Sequence, residues 1–120
     1  MARLLVVDDS SSVRDLLKEI LVHGGHTIVG EAADGEEAIK KYTELKPELV
    51  LMDVIMPSVD GIDATRRIIE YDPNAKIILF SGLGQPDMVN DAIKAGAKDY
   101  ITKPLHPLMI REAVKRALGL

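Results

Sequence analysis

Acidic residues stand directly after two apolar runs, at positions where they could do chemistry. Asp8 and Asp9 follow the apolar residues 4–7, and Asp53 follows the apolar residues 49–52. Four consecutive apolar residues predict a strand buried on both faces. In open α/β sheets, ligands bind outside the carboxyl ends of the strands. The three aspartates are therefore candidate site residues.

Two further polar residues take equivalent positions. Ser81 follows a fourth apolar run and Lys103 follows a fifth. Alone, Ser81 is typical of a turn, Lys103 of a solvated surface, and an acid before a helix of a cap. In a parallel sheet, however, all these positions lie at the same end, and a cap needs only one acid. We therefore interpret them as one site.

Three carboxylates at one point need a cation. At about 4 Å and an effective dielectric constant of about 20, each pair repels by roughly 4 kcal/mol. A ligand set of oxygens without histidine or cysteine favours Mg²⁺, with Mn²⁺ as the alternative. A carboxylate beside Mg²⁺, an ammonium and a hydroxyl suits phosphoryl acceptance. In that chemistry Asp53 is the nucleophile, and Lys103 stabilises the transferring charge.

The elements that position these residues alternate along the chain. Five apolar runs and five amphipathic segments predict a βα unit repeated five times, with right-handed crossovers and helices on both faces of a parallel sheet. The predicted strands are Arg3–Val7, Thr27–Ala32, the run that ends at Asp53, residues 76–80, and Asp99–Thr102 as an edge strand.

Polar and turn residues mark the predicted helix boundaries. Helices are expected to begin near residues 10–12, Asp34 with Glu37, Asp60 with Gly61, and Pro86, and to end near residues 24–25 and Gly96. The residues at helical spacing, all apolar except Thr65, are Val13, Leu16, Leu17, Ile20 and Leu21; Ala38, Tyr42 and Leu45; Ile62, Thr65, Ile68 and Ile69; Met88, Val89, Ala92 and Ile93; Ile110, Ala113, Val114, Ala117 and Leu118.

Composition limits the class of protein. A length of 120 residues predicts one domain, residues 1–120. A net charge of -4 with mixed signs argues against direct nucleic-acid binding. The lack of cysteine excludes disulfides and thiolate chemistry. The first apolar run is too short for a signal peptide or a membrane span, so we expect a cytoplasmic protein without membrane insertion.

Four motifs together resemble the receiver domains of response regulators, particularly the CheY-like chemotaxis regulators. They are Val-Val-Asp-Asp at 6–9, Leu-Met-Asp-Val-Ile-Met-Pro at 51–57, Ser-Gly at 81–82 and Lys-Pro at 103–104. The resemblance covers the whole chain. It implies a flavodoxin-like (βα)5 doubly wound fold with strand order 2-1-3-4-5. The residues alone require only that the first and third strands are neighbours, because Asp8, Asp9 and Asp53 share an ion.

The same resemblance implies roles for individual residues. Asp53 would be phosphorylated by a histidine kinase or a small phosphodonor, and the backbone carbonyl of Ile55 would join the three aspartates as a metal ligand. Lys103 would pair with the phosphoryl oxygens. The protein would catalyse its own phosphorylation and slow dephosphorylation, and would not turn over a metabolite.

A switch is implied as well. Ser81 would bond a phosphoryl oxygen in the active state while Tyr100 turns inward, which would change the surface of the fourth helix, fifth strand and fifth helix for a target protein. We expect a monomer, with dimerisation on phosphorylation as an option. Members of the family often have a cis bond before the proline of the Lys-Pro motif, and such a bond before Pro104 would cost only about 0.5 to 1 kcal/mol.

Ile55 and Leu83 depart from the enteric chemotaxis pattern, which has polar residues at these places. Neither side chain can orient an attacking water by hydrogen bonding, and both would shield the phosphoryl group. We therefore expect slow spontaneous dephosphorylation. Leu105 also replaces the frequent phenylalanine after Lys-Pro.

Other interpretations remain open at this point. The chain would fit a receiver piece of a larger regulator with an output domain, a receiver-like scaffold that is never phosphorylated, or a flavin carrier on the same fold. Asp8 and Asp9 argue against the flavin carrier because they would repel its phosphate. His23 and His26 suit a metal pair, but His23 is explained more simply as a helix-end residue.

Overall fold

The structure, a computed structural model, describes residues 1–82 and 84–120. Its elements are β1 (Arg3–Val7), α1 (Ser11–His23), β2 (Thr27–Ala32), α2 (Gly35–Leu45), β3 (Leu49–Asp53), α3 (Gly61–Tyr71), β4 (Ile77–Ser81), α4 (Pro86–Ala95), β5 (Asp99–Thr102) and α5 (Pro107–Leu118). All strand pairs are parallel, in the order β2-β1-β3-β4-β5. The predicted flavodoxin-like order is therefore confirmed.

Side-chain oxygens cap three of the helices. The side chains of Ser10, Asp34 and Asp60 accept hydrogen bonds from backbone N–H groups of the first turns of α1, α2 and α3. These N–H groups have no partner inside the helix, so the caps fix where each helix starts. Pro86 and Pro107 begin α4 and α5, where the missing N–H costs nothing.

The sheet separates two hydrophobic clusters, because alternate side chains of each strand point to opposite faces. The α2–α4 cluster contains Ala38, Tyr42, Ala64, Ile68 and Ala92 from α2, α3 and α4, with alternate residues of the strands. The α1–α5 cluster contains Leu17, Ile20, Leu21, Ile110, Ala113 and Val114 from α1 and α5, with the remaining strand residues. Both faces of the sheet are thus covered by helices, as predicted.

Three details of the sequence prediction are corrected. Leu16 and Ile93 fit the helical spacing but are exposed, because the buried stripes of α1 and α4 are narrower than the apolar pattern. β4 begins and ends one residue later than predicted, so Ser81 is its last residue and pairs with Thr102. The edge position of β5 is confirmed.

The two histidines near the end of α1 have separate surroundings. His23 lies in the last turn of α1, as predicted. His26 Nδ1 accepts a hydrogen bond from the N–H of Ala2, at 3.2 Å.

Across residues 1–82 and 84–120, every helix is too short or too polar to cross a lipid bilayer.

Candidate functional site

The carboxyl ends of the parallel strands bring the predicted site residues together. Carboxylate oxygens of Asp8, Asp9 and Asp53 all lie within 4.8 Å of one another. Lys103 Nζ lies 3.3 Å from Asp53 Oδ2 and 3.8 Å from Asp8 Oδ2. Ser81 ends the neighbouring strand and is buried, and its carbonyl accepts the N–H of Lys103 at 2.8 Å. The five polar residues therefore share one end of the sheet.

Asp8 is held on several sides. Its N–H donates to the carbonyl of Ala32 at 3.1 Å, and its Oδ1 accepts the N–H of Ser10 at 2.8 Å. Its Oδ2 is buried and has no hydrogen-bond partner among the described residues, because Lys103 Nζ is too far away for a hydrogen bond. A buried oxygen in this state is destabilising unless something else binds it.

Burial is the largest cause that raises the pKa of Asp8, to about 6 from its ordinary 3.8. The negative charge of Asp53 raises this pKa further, whereas the hydrogen bond from Ser10 and the charge of Lys103 lower it. Only 1% of Asp8 is exposed, so water screens the carboxylate poorly. The charge of Asp8 is therefore costly in the metal-free protein.

Asp53 is 5% exposed and ends β3. Its Oδ1 accepts the N–H of Ile55 at 3.2 Å, while its Oδ2 accepts from Lys103 Nζ. The lysine ammonium also lies 5.6 Å from the centre of the Phe80 ring. These contacts hold a carboxylate and a cation side by side at the opening of the site. The peptide bond between Lys103 and Pro104 is cis.

The three acids fit a small, hard divalent cation. The candidate ligands are all oxygens, one of them is the unpartnered Asp8 Oδ2, and Asp9 is exposed at the site opening. Such a set matches Mg²⁺ or Mn²⁺, which bind carboxylates while keeping several waters. The charge and burial of the cluster thus agree with the metal site predicted from sequence.

Of the residues predicted to tune or transmit the signal, Ile55 and Tyr100 are among the described residues. The Ile55 side chain is 53% exposed, and its N–H is bound to Asp53. Tyr100 is partly buried on β5 and packs against the α2–α4 cluster. Leu83 lies outside the described residues.

Two residues that position the site were missed by sequence reasoning. A Cβ atom at Gly61 would lie 2.2 Å from the carbonyl oxygen of Asp53, so α3 can start here only with glycine. The sequence marks Gly61 as a helix start but gives no sign of this approach. Arg14 Nη1 donates to the carbonyl of Asp8 at 2.6 Å. The sequence gives no sign of this contact.

Comparison with known proteins agrees with this geometry. Residues 4–115 match the model of the response regulator receiver domain. The chain is 51% identical to the chemotaxis protein CheY of Thermotoga maritima over 95% of each chain, and 46% identical to protein CcdB of Bacillus subtilis over 99% of each.

A solved structure of a related protein has the same fold as this chain. The chain is similar to a CheX–CheY–BeF3–Mg²⁺ complex from Borrelia burgdorferi, with a TM-score of 0.92 and 38% identity over 95% of this chain and 87% of that one. The family match spans more than half of the sequence, and the relatives match along nearly their whole length. The chain belongs to the family of response regulator receiver domains.

Proposed function

We propose that this receiver domain is a cytoplasmic, chemotaxis-type switch that accepts a phosphoryl group on Asp53. The observation that carries the proposal is the pairing of a buried carboxylate at a strand end with Lys103 Nζ at 3.3 Å, beside two further acids. A carboxylate nucleophile next to a fixed cation is the arrangement that phosphoryl acceptance requires. The donor is a histidine kinase or a small phosphodonor.

In the proposed reaction, a carboxylate oxygen of Asp53 attacks the phosphorus atom of the donor. A new O–P bond forms as the bond from phosphorus to the donor nitrogen or oxygen breaks, and the electron pair leaves with the donor. Lys103 lies where its ammonium can bind a phosphoryl oxygen as negative charge gathers there. The product is an acyl phosphate.

Mg²⁺ or Mn²⁺ would be held by Asp8, Asp9, Asp53 and the backbone carbonyl of Ile55. When bound, the ion supplies positive charge to the phosphoryl oxygens. The cluster geometry and the unpartnered Asp8 Oδ2 support this ligand set. The related CheY complex that contains Mg²⁺ and BeF3 supports the choice of ion.

The proposed target surface comprises α4, β5 and α5. Leu108 and Met109 of α5 are exposed large apolar residues beside β5, as expected for a protein-binding surface. The CheX–CheY complex supports a protein partner, and the CheY relatives support a chemotaxis pathway. Protein CcdB, which is not named as a chemotaxis protein, is almost as similar to the chain in sequence as the CheY relatives are. The chemotaxis assignment is therefore tested by comparing kinases: a chemotaxis kinase should phosphorylate the protein faster than other histidine kinases do.

The proposed chemistry is tested by incubating the protein with phosphoramidate and Mg²⁺. We expect one phosphoryl group per chain by intact mass, and little incorporation when a chelator removes the metal. Equal incorporation in the chelator would contradict the metal site. No incorporation into folded, Mg²⁺-saturated protein from either phosphoramidate or a histidine kinase would contradict the function itself.

We also propose that phosphorylation moves Ser81 toward the phosphoryl group and lets Tyr100 turn inward. A Cβ atom on Gly82 would meet nothing within 4 Å, so the backbone at Gly82 has open space beside it. If the phosphoryl group stabilises the active conformation by about 5.5 kcal/mol more than the inactive one, the ratio of active to inactive protein changes from about 1:99 to 99:1. We expect amide chemical-shift changes on activation in α4, β5 and α5. Changes restricted to α1 and α2 would contradict this switch.

Ile55 is expected to slow the loss of the phosphoryl group. Its exposed, apolar side chain follows Asp53 by two residues and cannot orient an attacking water. If polar residues at positions 55 and 83 together accelerate decay roughly tenfold, Ile55→Asn alone should accelerate it about threefold, or about 0.7 kcal/mol. Decay of the phosphorylated protein is the measurement.

The matched control for Ile55→Asn is Val22→Asn, because Val22 is similarly exposed, at 57%, in the last turn of α1. This control should decay at the wild-type rate. A decay rate in Ile55→Asn that equals the rate of the control would remove the shielding argument.

A further inference from the structure

Arg14 makes a contact to the site that the proposed chemistry does not use. Its Nη1 donates to the backbone carbonyl of Asp8 at 2.6 Å, and its Nε donates to Glu31 Oε1 at 3.0 Å. Only 18% of the Arg14 side chain is exposed. The guanidinium therefore bridges α1, the β1–α1 loop and β2.

The carbonyl that Arg14 binds belongs to the peptide group between Asp8 and Asp9. A peptide group is planar and rigid, so a hydrogen bond that holds its carbonyl restrains ψ of Asp8 and φ of Asp9 together. This restraint limits how far the backbone that carries the two carboxylates can move. One hydrogen bond from Arg14 thus acts on two candidate metal ligands at once.

Glu31, which holds the Arg14 side chain in place, is itself fixed by several contacts. Glu31 accepts from Arg14 and also from Lys18 Nζ, at 2.8 Å. Glu31 is next to Ala32 in β2, whose carbonyl accepts the N–H of Asp8. Both main-chain groups of Asp8 are therefore tied to adjacent residues of the same strand, one directly and one through Arg14.

We propose that Arg14, anchored on Glu31, is a positioning residue that holds the Asp8–Asp9 peptide so that both carboxylates point into the metal site. This inference rests on the proposed function, because it assumes that the two acids bind the metal. Groups that orient metal ligands without touching the ion typically contribute 10- to 100-fold to affinity, roughly.

The direction in which Mg²⁺ affinity changes when Arg14 is replaced distinguishes a positioning role from a purely electrostatic one. If the charge of Arg14 acted only through space, its removal would make the site more negative and Mg²⁺ would bind more tightly. If Arg14 positions the peptide, Arg14→Met should bind Mg²⁺ more weakly, by about tenfold. Arg14→Lys keeps the charge but has no fork to bind Asp8 and Glu31 at once, so it should restore only part of the affinity.

The experiment measures Mg²⁺ affinity by calorimetry and the Mg²⁺ concentration that half-saturates phosphorylation by phosphoramidate. In Arg14→Met both values should rise about tenfold, while the rate at saturating Mg²⁺ recovers toward wild type. Arg66→Met is the control: it removes the same charge from an exposed pair with Asp63 on α3 and should leave both values unchanged.

Glu31→Ala removes the anchor of Arg14 and should also weaken Mg²⁺ binding, but the loss of a negative charge acts in the same direction by itself. If Arg14→Met does not fold, Arg14→Lys is therefore the deciding variant, because it keeps the charge and should still bind Mg²⁺ more weakly than wild type. Wild-type or tighter Mg²⁺ binding in the folded Arg14 and Glu31 variants would overturn the positioning role. Failure of the wild-type protein to bind Mg²⁺ would instead overturn the proposed metal site, so the two failures are distinguishable.

Discussion

Asp53→Asn is expected to abolish phosphoryl incorporation from phosphoramidate or a histidine kinase. The amide keeps the shape of the side chain and an oxygen that can accept the N–H of Ile55. It carries no negative charge, however, and cannot form a stable acyl phosphate. Intact mass after incubation with Mg²⁺ and phosphodonor measures the loss, and cleavage by hydroxylamine distinguishes the wild-type acyl phosphate from a phosphoserine at Ser81.

Asp60→Asn is the control for Asp53→Asn. Asp60 caps α3 through a hydrogen bond that asparagine can also accept, so this acid-to-amide change should leave the fold and the labelling intact. Full labelling of Asp53→Asn would move the acceptor to another residue. Loss of labelling in both variants would show that the acid-to-amide change acts through the fold.

Asp8→Asn is expected to stabilise the metal-free protein at neutral pH. In the folded protein Asp8 keeps its proton up to about pH 6, whereas in the unfolded chain it releases the proton near pH 3.8. The folded state therefore binds more protons in this window, and the contribution of Asp8 to stability falls as pH rises through it. At about 1.36 kcal/mol per pH unit, the ionised carboxylate costs about 3 kcal/mol above pH 6.

Asparagine removes that cost and keeps the oxygen that accepts the N–H of Ser10. Denaturant unfolding of the metal-free proteins should therefore show a free energy of unfolding up to about 3 kcal/mol higher for Asp8→Asn near pH 7, with no gain below about pH 4. The same change should weaken Mg²⁺ binding by more than about tenfold, because a ligand is lost. The variant is thus expected to gain stability and lose stabilisation by metal.

Asp9→Asn separates these two effects. Asp9 is exposed, so its charge stays hydrated and its removal should change the stability of the metal-free protein little. Mg²⁺ binding should still weaken. Destabilisation by both substitutions would show that the two acids are structural, and the metal interpretation would then be wrong.

Much of the fold is predictable from local patterns. Apolar runs of four residues locate β1, β3 and β4, and Ser10, Asp34 and Asp60 mark the helix starts because capping is a local interaction. The candidate site is predictable because parallel strands all end at one side of a sheet. The full strand order came from family resemblance, since spacing alone required only the β1–β3 neighbours.

The contacts that sequence reasoning missed all depend on distances between elements. Arg14 and Glu31 are 17 positions apart, and only the packing of α1 beside β2 joins them. The approach of Gly61 to Asp53 likewise depends on how α3 meets the end of β3. The helical spacing of Leu16 predicts burial, but Leu16 is exposed because the width of the contact between α1 and the sheet is a tertiary property.

The two hydrophobic clusters have a consequence for how a partner would detect activation. α4 packs on one face of the sheet, α5 packs on the other, and the edge strand β5 lies between them, with Tyr100 facing the first cluster and Ile101 the second. Under the proposed switch, Tyr100 turns inward on the side of the edge where α4 packs, whereas Ile101 and α5 share the other cluster with α1. A partner that spans this edge contacts both sides at once, so it responds to a change of one side relative to the other rather than to the phosphoryl group itself.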